Sequence, residues 1–334
     1  MAEWVEDAEL GAGFETLTIE LGDDPDDEGQ IVATLVRSTT APTNPRGAAL
    51  YVHGFTDYFF NAEMAAFWVE HGFAFYALDL RKCGRSRRDG QTPHYVSDLG
   101  LYDAELNAAL ATVRSETDDA PVVLSGHSTG GLILPLWLIR LQRLPGGAAG
   151  HGIAGLVLNS PWFDLQGAAW MRTVGTQVIR GVSRFRSHDL MKLPYTDAYG
   201  SSLHISAHGE WDYNLEFKPL NGFPISYGWL NAVRRGQALL HKGHDVGVPS
   251  LVLHSTRSWF SRTFGEKVVG ADAVLDVQQI ARWSGCLGNA LTVRPLVGAK
   301  HDVFLSPKPA RDAAYAEIDS WLRGADLISE REPS

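Results

Sequence analysis

The sequence predicts an α/β protein, a mostly parallel sheet flanked by helices, with one long segment inserted into it. Three observations carry this. Short apolar runs of the buried-strand kind alternate with helix-spaced runs over residues 48–160. The alternation stops over 161–245 and resumes afterwards. The length, 334 residues, suits one large domain with an insertion or two domains rather than a single simple one. The expected division is a core of 1–160 and 246–334 with a cap of 161–245.

FETLTIEL (14–21) and QIVATLVRS (30–38) read as strands. The acidic turn between them, GDDPDDEG, reads as a solvated hairpin loop, since its spacing is not that of a calcium loop. AALYVHG (48–54) is a buried strand, MAAFWVEHG (64–72) a helix closed by Gly72, and FAFYALDL (73–80) another buried strand. RKCGRSRR (81–88) reads as a solvated basic loop, with an anion site as the alternative. DAELNAALATVRSE (103–116) is an amphipathic helix, PVVLS (121–125) a strand, GGLILPLWLIRLQ (130–142) a helix and GIAGLVLNS (152–160) a strand. The segment 161–245 holds no clear strand–helix unit but many aromatics, among them Trp162, Trp170, Trp211, Trp229 and Tyr199. These rings either line a pocket or form the segment's own core. VPSLVLHS (248–255) and ALTVRPLVGA (290–299) are strands, and ARDAAYAEIDSWLRG (310–324) is a final helix.

Composition excludes several classes. Hydrophobic residues are 45% and charged residues 20%, ordinary for a globular protein, and a net charge of −10 disfavours nucleic-acid binding. Two cysteines, Cys83 and Cys286, allow no disulfide framework or thiolate cluster. The start, MAEWVEDAEL, does not read as a signal peptide, and no run of 18 apolar residues suggests a membrane span. A cytoplasmic enzyme without cofactor or metal is expected.

The chemistry centres on VVLSGHSTGG (122–131), where G-x-S-x-G is Gly126-His127-Ser128-Thr129-Gly130. A tight turn needs the glycines in any case. Its setting of strand, turn and helix is that of a nucleophile elbow, which lifts the serine hydroxyl above the sheet at a helix N-terminus. A serine needs a base. His301, in VGAKHDVF after the last strand, lies where open α/β sheets bind ligands. The other histidines carry plainer readings: His127 points away from its neighbour, and His53 supports the turn in HGFTD. His204 and His208, near Glu210, are four apart, as metal ligands on a helix would be, but HGEWDY is not clearly helical. His241 and His244 carry the same weak metal signal.

The base needs a carboxylate to orient it. GADAVLDVQQI offers Asp272, a loop residue, and Asp276, whose plain reading is a helix cap. Asp272 is preferred. Asp302, adjacent to His301, is poorly placed to orient its ring. Two backbone donors complete the set: the amide of Thr129 and, from the HGFTD loop, that of Phe55.

The order Ser128, Asp272, His301, the HGF turn and the LDLRKCGRS segment resemble the α/β-hydrolase superfamily, and within it the monoacylglycerol lipase/lysophospholipase-like (serine aminopeptidase-like) group. The resemblance spans nearly the whole chain outside the cap. It implies an α/β-hydrolase fold with an eight-stranded sheet, a cap inserted after the sixth strand, and hydrolysis through an acyl-enzyme. The expected substrate is a small-molecule carboxylic ester, and the aromatic content of the cap suits it to an apolar acyl or aromatic one. A peptidase or amidase with the same triad, using Glu210 or Asp212 for a substrate amine, and a non-catalytic binding protein are the alternatives. STRSWFSRTFGEKVVGA (255–271) is longer than this group shows before its acid, and GEWDYNLEFKPLNGFP (209–224) matches no substrate motif.

Overall fold

The computed structural model describes residues 3–167 and 174–327. The chain runs β1 (Val5–Asp7), β2 (Gly11–Asp23), β3 (Gln30–Ser38), β4 (Gly47–Val52), α1 (Ala62–Glu70), β5 (Phe73–Asp79), α2 (Asp103–Glu116), β6 (Val122–His127), α3 (Gly130–Leu141), α4 (Gly147–Gly150) and β7 (Ile153–Asn159). Then come α5 (Thr176–Ser183), α6 (Ala198–Leu203), α7 (Tyr227–Leu240), β8 (Ser250–Ser255), α8 (Val277–Ser284), β9 (Leu291–Leu296) and α9 (Lys308–Gly324). The strands form one sheet in the order β1-β2-β3-β5-β4-β6-β7-β8-β9. β1, β2, β3 and β5 pair antiparallel in turn, and every pair from β5 through β4 to β9 is parallel.

Alternation across the pleat builds two cores. Leu35, Leu50, Leu124 and Leu156 face α2, α3 and α7. Their neighbours Val36, Ala49, Val123 and Val157 face α1 and α9. A strand covered on both faces has no polar side, and so the central strands appear in the sequence as unbroken apolar runs.

One expectation about the sheet is revised, and the described part of the insertion holds no strand–helix unit, as expected. The sheet has nine strands among the described residues, not eight. The extra strand, β1, is only Val-Glu-Asp and exists by pairing with the edge of β2, Val5 opposite Thr16. Too short to show alternation, it had no sequence signal. The segment 161–245 carries α5, α6 and α7. α7 is a clear helix: Ser226 accepts from Trp229 N–H at its start, and Trp229, Leu230, Val233 and Leu240 bury one face. Trp170 lies outside the described residues.

The basic loop is largely buried, and the acidic turn, whose Asp23, Pro25 and Asp27 are exposed as expected, turns Asp24 and Glu28 inward to meet it. Asp24 and Glu28, from the acidic turn, both hold the ammonium of Lys82, which is completely buried. Arg81 makes a buried pair with Glu105, and Arg85 reaches Asp7 and Asp79. The turn after β2 meets the loop after β5, so the buried charge of Lys82 is neutralised by Asp24 and Glu28. This takes Arg81, Lys82 and Arg85 out of any anion site, while Arg87 and Arg88 reach the Glu216 and Arg85 carbonyls. Breaking a buried pair by removing one partner costs about 3–5 kcal/mol. Glu105→Ala should therefore lower unfolding stability by about that much in urea denaturation; a change under about 1 kcal/mol would show Arg81 satisfied by its other contact, the Leu101 carbonyl.

Candidate active site

Ser128 sits between β6 and α3 with φ +51°, a left-handed conformation a serine adopts only when its surroundings hold it. Its N–H donates to the Asn159 carbonyl and its own carbonyl accepts from Trp162 N–H, both at 2.9 Å. Gly130 is obligatory here: a Cβ would stand 2.4 Å from the Val52 carbonyl oxygen. The turn is thus pressed against the end of β4. Thr129 is the N-cap residue of α3, so its amide belongs to the positive end of that helix.

His301 follows β9. Its Nε2 lies 2.9 Å from Ser128 Oγ, and its Nδ1 lies 2.9 Å from Asp272 Oδ2. A carboxylate only accepts, so Nδ1 carries the hydrogen and Nε2 presents a lone pair to the hydroxyl. All three side chains are buried. The other oxygen of Asp272 accepts from the amides of Val274 and Leu275 at 2.8 and 2.7 Å, which fixes the carboxylate plane.

The long stretch before Asp272 is absorbed as a loop. Asp272 N–H donates to the Arg257 carbonyl at 2.9 Å and its carbonyl accepts from Trp259 N–H at 2.8 Å. The extra residues leave and return at this bridge, and the register of Asp272 is kept. Asp276 instead caps α8, accepting from Gln278 N–H at 3.1 Å.

The turn after β4 lies on the serine. A Cβ at Gly54 would come within 2.9 Å of Ser128 Cβ. Next in the chain, Phe55 packs on Trp229 with ring centroids 4.1 Å apart, and Trp229 neighbours Trp162 at 5.7 Å. Thr56 has φ +53°, an outlier for a β-branched residue that costs about 1–3 kcal/mol. His53 donates from Nδ1 to the Gly54 carbonyl at 2.7 Å and accepts Leu80 N–H on Nε2 at 3.1 Å, tying the ends of β4 and β5 together. Burial holds its imidazole below the usual histidine range.

Behind His301 lies a polar cluster that the sequence did not reveal. His127 packs on the His301 ring, centroids 4.9 Å apart, and puts Nδ1 3.1 Å from Asp57 Oδ2. Asp57 Oδ1 accepts from the Lys218 ammonium at 2.5 Å. Burial pushes the Asp57 carboxyl up, but Lys218 and His127 outweigh it and hold it well below the usual range. Asp302 points to Asn159 and Phe304 N–H rather than to His301. Asp57, His127 and Asp302 are the one group among the described residues spaced as metal ligands are, and the ammonium of Lys218 supplies positive charge at Asp57. Lys300, beside His301, is buried and donates to the Ser202 carbonyl at 2.6 Å; burial pushes its ammonium down to about 8. The one hint in the sequence was the KHD triplet itself, in which both charged flanks of His301 are buried.

The remaining histidines do not converge. His204 is occupied by Ser206 Oγ and the Tyr213 carbonyl, and His208 is exposed and stacks on Phe264. His241 donates to the Phe163 carbonyl and stacks on Trp283, away from His244.

The parallel sheet with a serine–histidine–aspartate row at its carboxyl edge defines an α/β-hydrolase. The profile of the serine aminopeptidase (S33) hydrolase family matches residues 43–278. The chain belongs to that family. No curated protein sequence matches it. Among solved structures, a soluble variant of monoglyceride lipase from Saccharomyces cerevisiae is similar over 99% of this chain and 96% of its own, with a TM-score of 0.62 at 14% identity. A monoacylglycerol lipase of Paleococcus ferrophilus matches with a TM-score of 0.60 at 17% identity, over 88% and 99% of the two chains. A carboxyl esterase from Bacillus coagulans gives 0.60 at 14% identity, over 94% and 99%. At these identities the likeness is one of fold. No helix among the described residues is long and apolar enough to cross a membrane.

Proposed function

We propose that the chain is a serine hydrolase that cleaves carboxylic esters through an acyl-enzyme. The observation that carries this is the hydrogen-bonded row Ser128–His301–Asp272, 2.9 Å at each step, behind a serine held at φ +51°. Ser128 Oγ attacks the ester carbonyl while His301 Nε2 takes its proton. The C–O bond then breaks and the same proton passes to the leaving alcohol. Water repeats the sequence on the acyl-enzyme and frees the acid. Asp272 keeps the imidazole in the required tautomer, and the amides of Phe55 and Thr129 receive the negative charge on the carbonyl oxygen. The step needs no metal or cofactor. Residues 161–245 act as the cap, and Phe55, Trp162 and Trp229 beside the serine favour an apolar acyl or aryl group.

The family's description as serine aminopeptidases favours a second reading, cleavage of an amide or peptide by the same residues. It needs a carboxylate for a substrate amine. Glu210 is paired with Arg311, and Asp212 is exposed beside His204, so neither is held buried for that task. Purified protein should hydrolyse short-chain p-nitrophenyl esters far faster than aminoacyl p-nitroanilides and should be labelled covalently by a fluorophosphonate. Preference for the anilides would select the peptidase. Labelling absent from a folded protein would leave a binding protein.

A further inference from the structure

The segment 209–224 contacts three successive residues of the turn that follows β4. Phe223 N–H donates to Thr56 Oγ1 at 2.9 Å. The Lys218 ammonium donates to Asp57 Oδ1 at 2.5 Å. Asn214 N–H donates to the Tyr58 hydroxyl at 2.7 Å. Lys218 is only 5% exposed and lies over the rings of Phe60 and Tyr213, at 5.4 and 5.8 Å. The same segment reaches the far side of the site, where the Trp211 indole donates to the Leu305 carbonyl at 3.1 Å. A piece of the insertion therefore grips the turn on the serine and touches the loop that follows His301.

We propose that Lys218 is a positioning residue, holding the 54–57 turn through Asp57 so that the Phe55 amide faces the reacting carbonyl. This rests on the serine-hydrolase reading above. Thr56 is strained, so the turn needs outside contacts to keep its shape. Lys218 and Phe223 provide them at adjacent residues. The other oxygen of Asp57 is committed to His127, so the carboxylate has lost its rotational freedom and the chain carrying it cannot drift. Lys218 itself touches neither serine nor histidine; its effect passes through a backbone donor. This gives a role to GEWDYNLEFKPLNGFP: it is built to hold the core's donor turn, and recognition of substrate is not required of it.

The test compares the wild type, Lys218→Met, and Lys218→Met combined with Asp57→Asn. The double variant buries neither charge, which avoids the lone carboxylate that endangers folding of the single one. Each is assayed for kcat and KM on one short p-nitrophenyl ester, with active sites counted by a fluorophosphonate. Each is also titrated with a trifluoromethyl ketone, whose adduct with the serine places an oxyanion on the backbone donors. Loss of a whole donor costs about 10²–10³ in kcat, so a misplaced one should cost about 10–100-fold per labelled site in both variants. KM should move by less than about threefold, and the ketone should weaken in step with kcat, as expected of an interaction made in the transition state. Variants that lose thermal stability yet keep kcat and ketone affinity would reduce Lys218 to a structural tie and overturn the proposal. A wild type that does not react with the fluorophosphonate would remove the hydrolase reading and this proposal with it. A reactive wild type beside unaffected variants would remove this proposal alone.

Discussion

Ser128→Ala is expected to lower kcat by about 10⁵ while leaving the fold intact, since removing a serine nucleophile elsewhere costs about 10⁶ and the donors and binding site keep some residual catalysis. The change deletes one oxygen whose partner in this protein is His301 Nε2. The backbone bonds that hold the turn, to Asn159 and from Trp162, do not involve that oxygen. Near-UV circular dichroism and the thermal midpoint should match the wild type, and fluorophosphonate labelling should vanish. Activity retained within about tenfold in a folded variant would end the nucleophile assignment, because no other contact of Ser128 could account for it.

The second large effect separates two aspartates four residues apart. Asp272→Asn should cost about 10⁴ in kcat, as in the serine-protease precedent. Asp272 accepts on both oxygens: His301 on one, the Val274 and Leu275 amides on the other. An asparagine must put its NH₂ on one side. Toward His301 it forces the tautomer that cannot take the serine's proton; toward the two amides it sets donor against donor. Asp276→Asn should change kcat less than about twofold, since asparagine caps a helix as well as aspartate does. Both are measured on the same ester after a check of folding. A silent Asp272→Asn would remove the orienting role, and a dead Asp276→Asn would move that role along the chain.

The parts legible in the sequence are those that local constraints dictate. The central strands read clearly because burial on both faces leaves them no polar positions. The elbow read clearly because Gly130 admits no side chain against the end of β4. The helix opened by Asp276 was visible from its cap. The illegible parts depend on partners far away in sequence. Nothing near Lys82 says that its charge meets Asp24 and Glu28, and nothing near Lys218 points to Asp57. A charged residue reads as solvated until its partner is known, so the inward contacts of the acidic turn, the basic loop and the 209–224 motif have no signature in their local sequence. β1 is a different case, a strand made only by the edge it joins.

The spacing of the site residues along the chain has a consequence for the protein while it is being made. Ser128 and His301 are separated by 173 positions, and Asp57 and Lys218 by 161. At about 5–20 residues per second, a ribosome releases the serine roughly 9–35 s before the histidine. Throughout that interval the growing polypeptide holds a hydroxyl with no base and, until Lys218 emerges, a donor turn without its hold from the insertion. On the roles proposed here, translation itself keeps the nascent chain inert, and competence arrives only as the segment leading into α9 leaves the exit tunnel.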